Sequence, residues 1–144
     1  MFKMTFEYDK NGRGMLKLFN DETLKKWWYA RTGSINLNGE LVNSISKKTW
    51  YIITRPEIPT PEEYDLMSIK AMDGYGWKWR LHERPSEKSI SHILIHPDGS
   101  KNNLHDGNGT LGCIGLNENA TELFSFGMEL YHKEPKTIIK IEVS

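Results

Sequence analysis

The residue of this chain most able to do chemistry is its single cysteine, Cys113, which a histidine precedes by 17 positions. A thiol becomes a good nucleophile near neutral pH only when a base takes its proton. His96 ends a short apolar run, and Gly112 stands directly before the cysteine. A strand ending at His96, a return loop and a turn at Gly112 can bring the imidazole beside the sulfur. The pattern predicts a Cys–His pair, with the backbone N–H groups of Gly112 and Cys113 facing an oxyanion.

The same residues carry a family resemblance. The segments 95–99 and 110–114, read as Ile-His-Pro-Asp-Gly and Thr-Leu-Gly-Cys-Ile, resemble the signature of the L,D-transpeptidase catalytic domain. These cysteine enzymes act on peptidoglycan stem peptides. The short spacing is most similar to compact, signal-less branches that include type VI secretion toxins and small phage-associated proteins. Weaker similarity lies at 30–33 and 49–52, which resemble two strand motifs of the family.

The resemblance implies a role for each residue of the motif. His96 would be the base and Cys113 the nucleophile, while the backbone carbonyl of Thr110 would accept the second ring N–H of the histidine. Many family members carry His at the position of Leu111 and Arg or Asn at the position of Gly115, and that Arg or Asn helps bind the substrate. The substitution at 115 leaves donor recognition open.

A cation elsewhere in the chain would have to bind the carboxylate of a stem peptide. The candidates for this substrate groove, among which the sequence does not choose, are Arg31, Arg80 and Arg84, with His92 facing the same side of its strand as His96. The activity expected from the resemblance is cysteine-dependent acyl transfer, either as L,D-carboxypeptidase or as L,D-transpeptidase with D-amino-acid exchange.

Two other interpretations stay open. Cys113 is a small apolar residue of the core in many proteins, and the chain would then be a non-catalytic wall-binding or virion-associated module. The same Cys–His pair would also serve a cysteine amidase or peptidase acting on another amide. Zinc held by His92, His96 and His105 is disfavoured, because the chain has no second thiol and no H-E-x-x-H motif. We therefore expect neither metal nor cofactor.

Composition limits the partners. The 144 residues have a formal net charge of zero, which gives no electrostatic case for nucleic acid or an anionic membrane. One cysteine forms no intrachain disulfide. The first residues alternate polar and apolar side chains, so we expect no signal peptide and synthesis in the cytoplasm. Action on the wall or in the periplasm would then require a delivery apparatus, for which an immunity protein is a possible further partner.

Hydrophobic periodicity predicts one domain over residues 1–144 that is mainly β, a sandwich or barrel with two peripheral helices. The Asn11-Gly12 dipeptide predicts a hairpin. A capping box at 60–63 predicts a helix ending near Gly74, and an apolar stripe predicts a second helix from Asn117 or Asn119 to His132. The predicted strands are 2–8, 15–19, 27–31, 50–54, 77–81, 91–96 and 137–143, and the alternative to the third is a helical turn over 23–28.

Overall fold

The computed structural model describes residues 1–58, 76–98 and 112–144. These residues form ten strands and one helix. The strands are β1 (Phe2–Tyr8), β2 (Arg13–Asn20), β3 (Thr23–Arg31), β4 (Ser34–Ile35), β5 (Leu41–Val42), β6 (Thr49–Ile52), β7 (Trp79–Arg80), β8 (Leu94–Pro97), β9 (Ile114–Leu116) and β10 (Ile139–Val143), and the helix is α1 (Ala120–Lys133).

Eight of the strands form one sheet in the order β6-β10-β1-β2-β3-β9-β8-β7, and β4 pairs with β5 in a separate hairpin. The β1–β10 and β8–β9 pairs are parallel, and the other pairs are antiparallel. The two ends of the sheet meet where Tyr51 and His82 exchange backbone hydrogen bonds of 2.8 and 2.7 Å. The sheet is therefore a nearly closed barrel, and the predicted mainly-β class is confirmed.

Local signals in the sequence account for several boundaries. The first hairpin turns at Gly12, whose φ of 78° lies in the left-handed region that favours glycine. Strand β3 contains the predicted strand 27–31, and α1 matches the predicted second helix. The predicted first helix, over 60–74, lies outside the described residues. The described part of the chain contains no helix both long and apolar enough to cross a membrane.

Four predicted strands are shorter in the structure. The 50–54 strand ends at Ile52, and the 137–143 strand begins at Ile139. Distant partners account for the other two. The 77–81 strand is reduced to Trp79–Arg80, because Lys78 pairs instead with Glu57 in an isolated bridge. The 91–96 strand begins only at Leu94, because the Ser91 hydroxyl donates to the carbonyl of Leu81 and so competes with ladder pairing. Both differences arise from tertiary partners that strand periodicity does not reveal.

The core lies between the inner face of the barrel and one face of α1. The helix buries Ala120, Leu123, Gly127, Leu130 and Tyr131. At Gly127 the helix approaches Pro56 so closely that an added Cβ would lie 2.6 Å from the Pro56 Cγ. A glycine at this point allows α1 to pack directly against the barrel.

Candidate active site

The neighbouring strands β3, β9 and β8 place the predicted site residues Arg31 and His96 on the sheet face that points away from the core. Residues Ala30, Ile114 and Ile95 lie on the inner face and are at most 2% exposed. Because side chains alternate along a strand, Arg31 and His96 belong to the outer face. The buried apolar side chains of the inner face hold the strands in place, and this fixes the positions of the residues on the outer face.

The strand register aligns four outer-face residues in one row across four strands. Arg13 on β2 pairs with Arg31 on β3, Arg31 pairs with Gly115 on β9, and Gly115 pairs with His96 on β8. Strands lie about 4.8 Å apart, so the row spans about 14 Å from Arg13 to His96. We call these four residues the outer row.

Cys113 lies one residue before β9, after a turn at Gly112. Gly112 has a φ of 81°, so the predicted tight glycine turn is present. The sulfur accepts the backbone N–H of Leu94 at 3.3 Å, and the thiol donates to the carbonyl of His92 at 3.6 Å. The side chain therefore lies against the backbone just before and at the start of β8.

The thiol of Cys113 is protonated at neutral pH. The residue is only 5% exposed, and burial raises its pKa to about 11, while the N–H of Leu94 acts in the lowering direction. Burial disfavours the charged thiolate because an apolar surrounding solvates it poorly. A nucleophilic role consequently requires a base that takes the proton as the sulfur attacks.

His96 is held as a neutral imidazole. Its Nδ1 lies 2.7 Å from the carbonyl oxygen of Pro97, which can only accept, so Nδ1 carries the proton and Nε2 is the basic nitrogen. Burial lowers the pKa of His96; the Pro97 carbonyl and the Asp98 carboxylate act in the raising direction, and Arg31 acts in the lowering one. The ring is therefore uncharged near pH 7 and able to accept a proton.

The ring of His96 is oriented by its own strand, because Nδ1 donates to the carbonyl of Pro97 one residue along. Thr110, whose carbonyl the resemblance implies as an acceptor for the ring, lies outside the described residues. Its role stays a prediction.

His96 pairs with Gly115 across the parallel β8–β9 ladder, and Cys113 precedes Gly115 by two residues, just before β9 begins. The Cys113 sulfur is hydrogen-bonded to the backbone of residues 92 and 94. The His96 ring is hydrogen-bonded to the backbone carbonyl of Pro97. A direct contact between sulfur and ring nitrogen stays a prediction.

A buried ion pair completes the outer face, and its acidic member was not predicted. Arg31 Nε donates to Asp98 Oδ2 at 2.5 Å, and the two side chains are 2% and 4% exposed. Gly115 separates Arg31 from β8 in the register and has no side chain, which leaves room for the guanidinium to reach across β9. Asp98 directly follows β8 and stands two residues after His96.

The other predicted groove residues lie in different settings. Arg80 is bound by Glu57 at 2.7 Å and by the Ser91 carbonyl at 2.6 Å. Arg84 lies in an exposed stretch after His82. The side chain of His92 is exposed, and its backbone carbonyl is what contacts Cys113. Of the predicted cations, Arg31 is therefore the one in register with His96.

The amide of Gly112 is engaged in this conformation. Its N–H donates to the carbonyl of Asn43 at 2.6 Å, so it could bind an oxyanion only after that bond opens. The N–H of Cys113 is the other predicted donor. In the described ranges there is no group of three or more His, Cys, Asp or Glu side chains that could hold a metal ion.

The chain matches no protein-family model and no curated protein.

Proposed function

We propose that the protein is a cysteine-dependent acyl-transfer enzyme of the L,D-transpeptidase type that acts on peptidoglycan stem peptides. The observation that supports this proposal most is the parallel pairing of β8 with β9. This pairing aligns a neutral, oriented histidine with Gly115, which follows the only thiol of the chain by two residues. The proposal takes its substrate from the resemblance of the motif around His96 and Cys113.

The chemistry begins with proton transfer. His96 Nε2 takes the thiol proton of Cys113 as the sulfur adds to the carbonyl carbon of the amide between the third stem residue and the following D-alanine. The raised thiol pKa makes transfer during attack more favourable than a standing thiolate. The backbone N–H of Cys113 donates to the oxyanion, and Gly112 can add its own N–H once the bond to Asn43 opens.

Collapse of the tetrahedral intermediate breaks the amide bond. His96 returns its proton to the leaving amine of D-alanine, and the peptide remains on Cys113 as a thioester. Water then gives carboxypeptidase activity, and an amine gives crosslinking or D-amino-acid exchange. In both cases the neutral His96 removes a proton from the incoming nucleophile, which is the role that its lowered pKa suits.

A digest of purified muropeptides, analysed by mass, tests the proposal. The wild-type protein should shorten tetrapeptide stems by one alanine or exchange that alanine for a supplied D-amino acid. Cys113→Ala and His96→Gln should do neither. The matched control is His132→Gln, which changes an exposed histidine at the end of α1 and should leave turnover unchanged. Unaltered muropeptides with the wild-type protein would contradict the proposal.

A second candidate function is a non-catalytic wall-binding or virion-associated module. The deep burial of Cys113 and its raised pKa favour this candidate, since an inert core cysteine has both properties. Alkylation by iodoacetamide in native protein separates the two. The enzyme should react faster than its His96→Gln variant near pH 7, whereas in the module the two proteins should react at the same slow rate. A cysteine amidase with another substrate would react like the enzyme and leave muropeptides intact.

A further inference from the structure

A groove of about 520 Å³ lies on the outer face at the Arg13 end of the outer row. Its volume is within the range of small-ligand sites. Its lining includes the side chains of Arg13, Tyr29, Arg31, Asn117 and Glu118. In the strand register, Arg31 lies between Arg13, which lines the groove, and Gly115, which pairs with His96.

The groove contains one cation that is available to a ligand. Arg31 is already paired with Asp98 in the interior of the sheet face. Arg13 is exposed, and within the described residues no ion pair engages its guanidinium. A planar guanidinium with free N–H groups in a concave site is suited to a carboxylate, which it can bind through two parallel hydrogen bonds.

A second donor lies beside this cation. Asn117 Nδ2 is buried and has no hydrogen-bond acceptor among the described residues, while the backbone N–H of the same residue donates to Tyr29 at 3.1 Å. A buried polar group without a partner costs free energy until an acceptor reaches it. A half-turn of the terminal amide exchanges its oxygen and nitrogen, so the NH₂ can be offered to a carboxylate in the groove.

The remaining lining limits the charge and shape of the ligand. Tyr29 is 52% exposed and stacks edge-on against Trp27, with ring centroids 5.0 Å apart, so a flat aromatic surface borders the groove. Glu118 is exposed and adds a negative charge. One available cation beside one carboxylate favours a singly charged ligand over a phosphate or another polyanion.

We propose that this groove is a subsite for a peptide carboxylate, in which Arg13 and Asn117 bind the carboxylate and Tyr29 contacts the adjoining peptide. The subsite is continuous, through Arg31, with the row that contains His96. This inference deepens the proposed function, because it supplies the donor recognition that Gly115 lacks relative to the family. It makes Arg13 a substrate-binding residue that sequence resemblance did not indicate.

Binding measured by calorimetry in the Cys113→Ala protein tests the subsite without any turnover. The probes are two acid–amide pairs. The first pair is a stem tripeptide with a free α-carboxylate on its second residue and the same peptide with that carboxylate amidated. The second pair is an unrelated alanine tripeptide as the free acid and as the C-terminal amide. At least one acid should bind about tenfold more tightly than its amide, the size expected for one charge-assisted contact. Adding Arg13→Gln should abolish that preference, and Asn117→Leu should reduce it.

Lys17→Gln is the matched control, because it removes a positive charge from the same face of β2, four residues along and outside the groove lining. This variant should keep the preference for the acid. Equal binding of both acids and their amides would overturn the subsite, as would an equal loss in Lys17→Gln and Arg13→Gln. Competition by inorganic phosphate at matched ionic strength would overturn the choice of a carboxylate.

The outcomes separate this inference from the proposed function. Arg13-dependent binding of a carboxylate together with unaltered muropeptides would support the subsite and contradict the enzyme. Turnover of muropeptides together with equal binding of acids and amides would support the enzyme and contradict the subsite.

Discussion

Where β3, β9 and β8 meet at Arg31, Gly115 and His96, both faces of the sheet are buried, yet the two faces carry different side chains. The inner face carries apolar side chains alone, and the outer face carries an ion pair, a neutral histidine and a thiol. The inner residues are Ala30, Ile95, Ile114 and Leu116, and the outer ones are Arg31, His96, Asp98 and Cys113, with exposures between 0% and 6% throughout.

The two faces therefore contribute differently: the inner face stabilises the fold, and the outer face carries the titratable groups. Apolar burial stabilises the fold wherever it occurs, whereas buried polar and charged groups cost free energy unless each finds a partner. The inner face is therefore sufficient to hold the strands. A set of buried titratable groups on the opposite face is the arrangement in which functional sites are commonly found.

The largest expected effect on stability concerns the charged pair of the outer face. Asp98→Asn leaves the Arg31 guanidinium buried without its counter-charge and should lower the free energy of unfolding by about 3–5 kcal/mol. The control is Glu57→Gln, which removes the partner of Arg80 at a carboxylate that is 38% exposed. That change should cost less than about 1 kcal/mol. Urea denaturation measures both.

If Asp98→Asn proves too unstable to purify, the double variant Arg31→Met with Asp98→Asn replaces both charges and should recover part of the loss. Similar losses in Asp98→Asn and Glu57→Gln would show that the outer face is less buried in solution than the comparison requires.

The next prediction compares neighbouring residues on opposite faces. Ile114→Ala truncates a fully buried inner side chain and should lower the free energy of unfolding by about 2–4 kcal/mol. Cys113→Ala removes one sulfur atom and should lower it by about 1 kcal/mol, yet abolish any turnover. Thermal and urea unfolding, together with the muropeptide digest, measure the two effects. The comparison fails if Cys113→Ala keeps full activity, or if it unfolds the protein as a core truncation would.

The raised pKa of Cys113 predicts a loss of stability at alkaline pH. The unfolded thiol ionises near pH 9 and the native thiol near 11, so the unfolded state binds fewer protons between these values. The free energy of unfolding should therefore fall as pH rises from 9 to 11, by about 2 kcal/mol from this group. Subtracting the pH profile of Cys113→Ala isolates the contribution. Parallel profiles for the two proteins would mean that the thiol is not buried as described.

The smallest expected effect tests the turn that presents Cys113. Gly112→Ala should lower the free energy of unfolding by about 1–2 kcal/mol, because a residue with Cβ is strained at a φ of 81°. The added Cβ would also lie 3.2 Å from the Ile93 Cδ1. The control is Gly39→Ala, where φ is also positive and an added Cβ meets nothing within 4 Å. An equal loss at both sites would assign the cost at Gly112 to backbone strain alone.

Much of this arrangement was predictable from local patterns. Alternation in β1, the turn at Gly12 and the apolar stripe of α1 each depend on near neighbours, and the structure agrees with them. The pairing of Lys78 with Glu57 and the bond from Ser91 to Leu81 depend on distant partners, and these shortened two predicted strands.

At the site, sequence spacing indicated His96, Cys113 and the turn at Gly112. The register that aligns Arg31 with Gly115 and His96 did not follow from spacing, since β3 lies far from both strands in the sequence. The ion pair with Asp98 and the bond from the His96 ring to Pro97 depend on that register or on side-chain rotation. Neither leaves a signal in one sequence.

The proposed function requires that a stem peptide acylates Cys113 with help from His96. Intact mass spectrometry detects this intermediate in protein that is mixed with a tetrapeptide muropeptide and quenched in acid. We expect an adduct equal in mass to the acyl group that remains after D-alanine leaves, located on Cys113 by digestion. The adduct should be absent in Cys113→Ala and strongly reduced in His96→Gln. Muropeptide turnover with no adduct on Cys113, or an adduct that persists in Cys113→Ala, would rule out acylation of this cysteine.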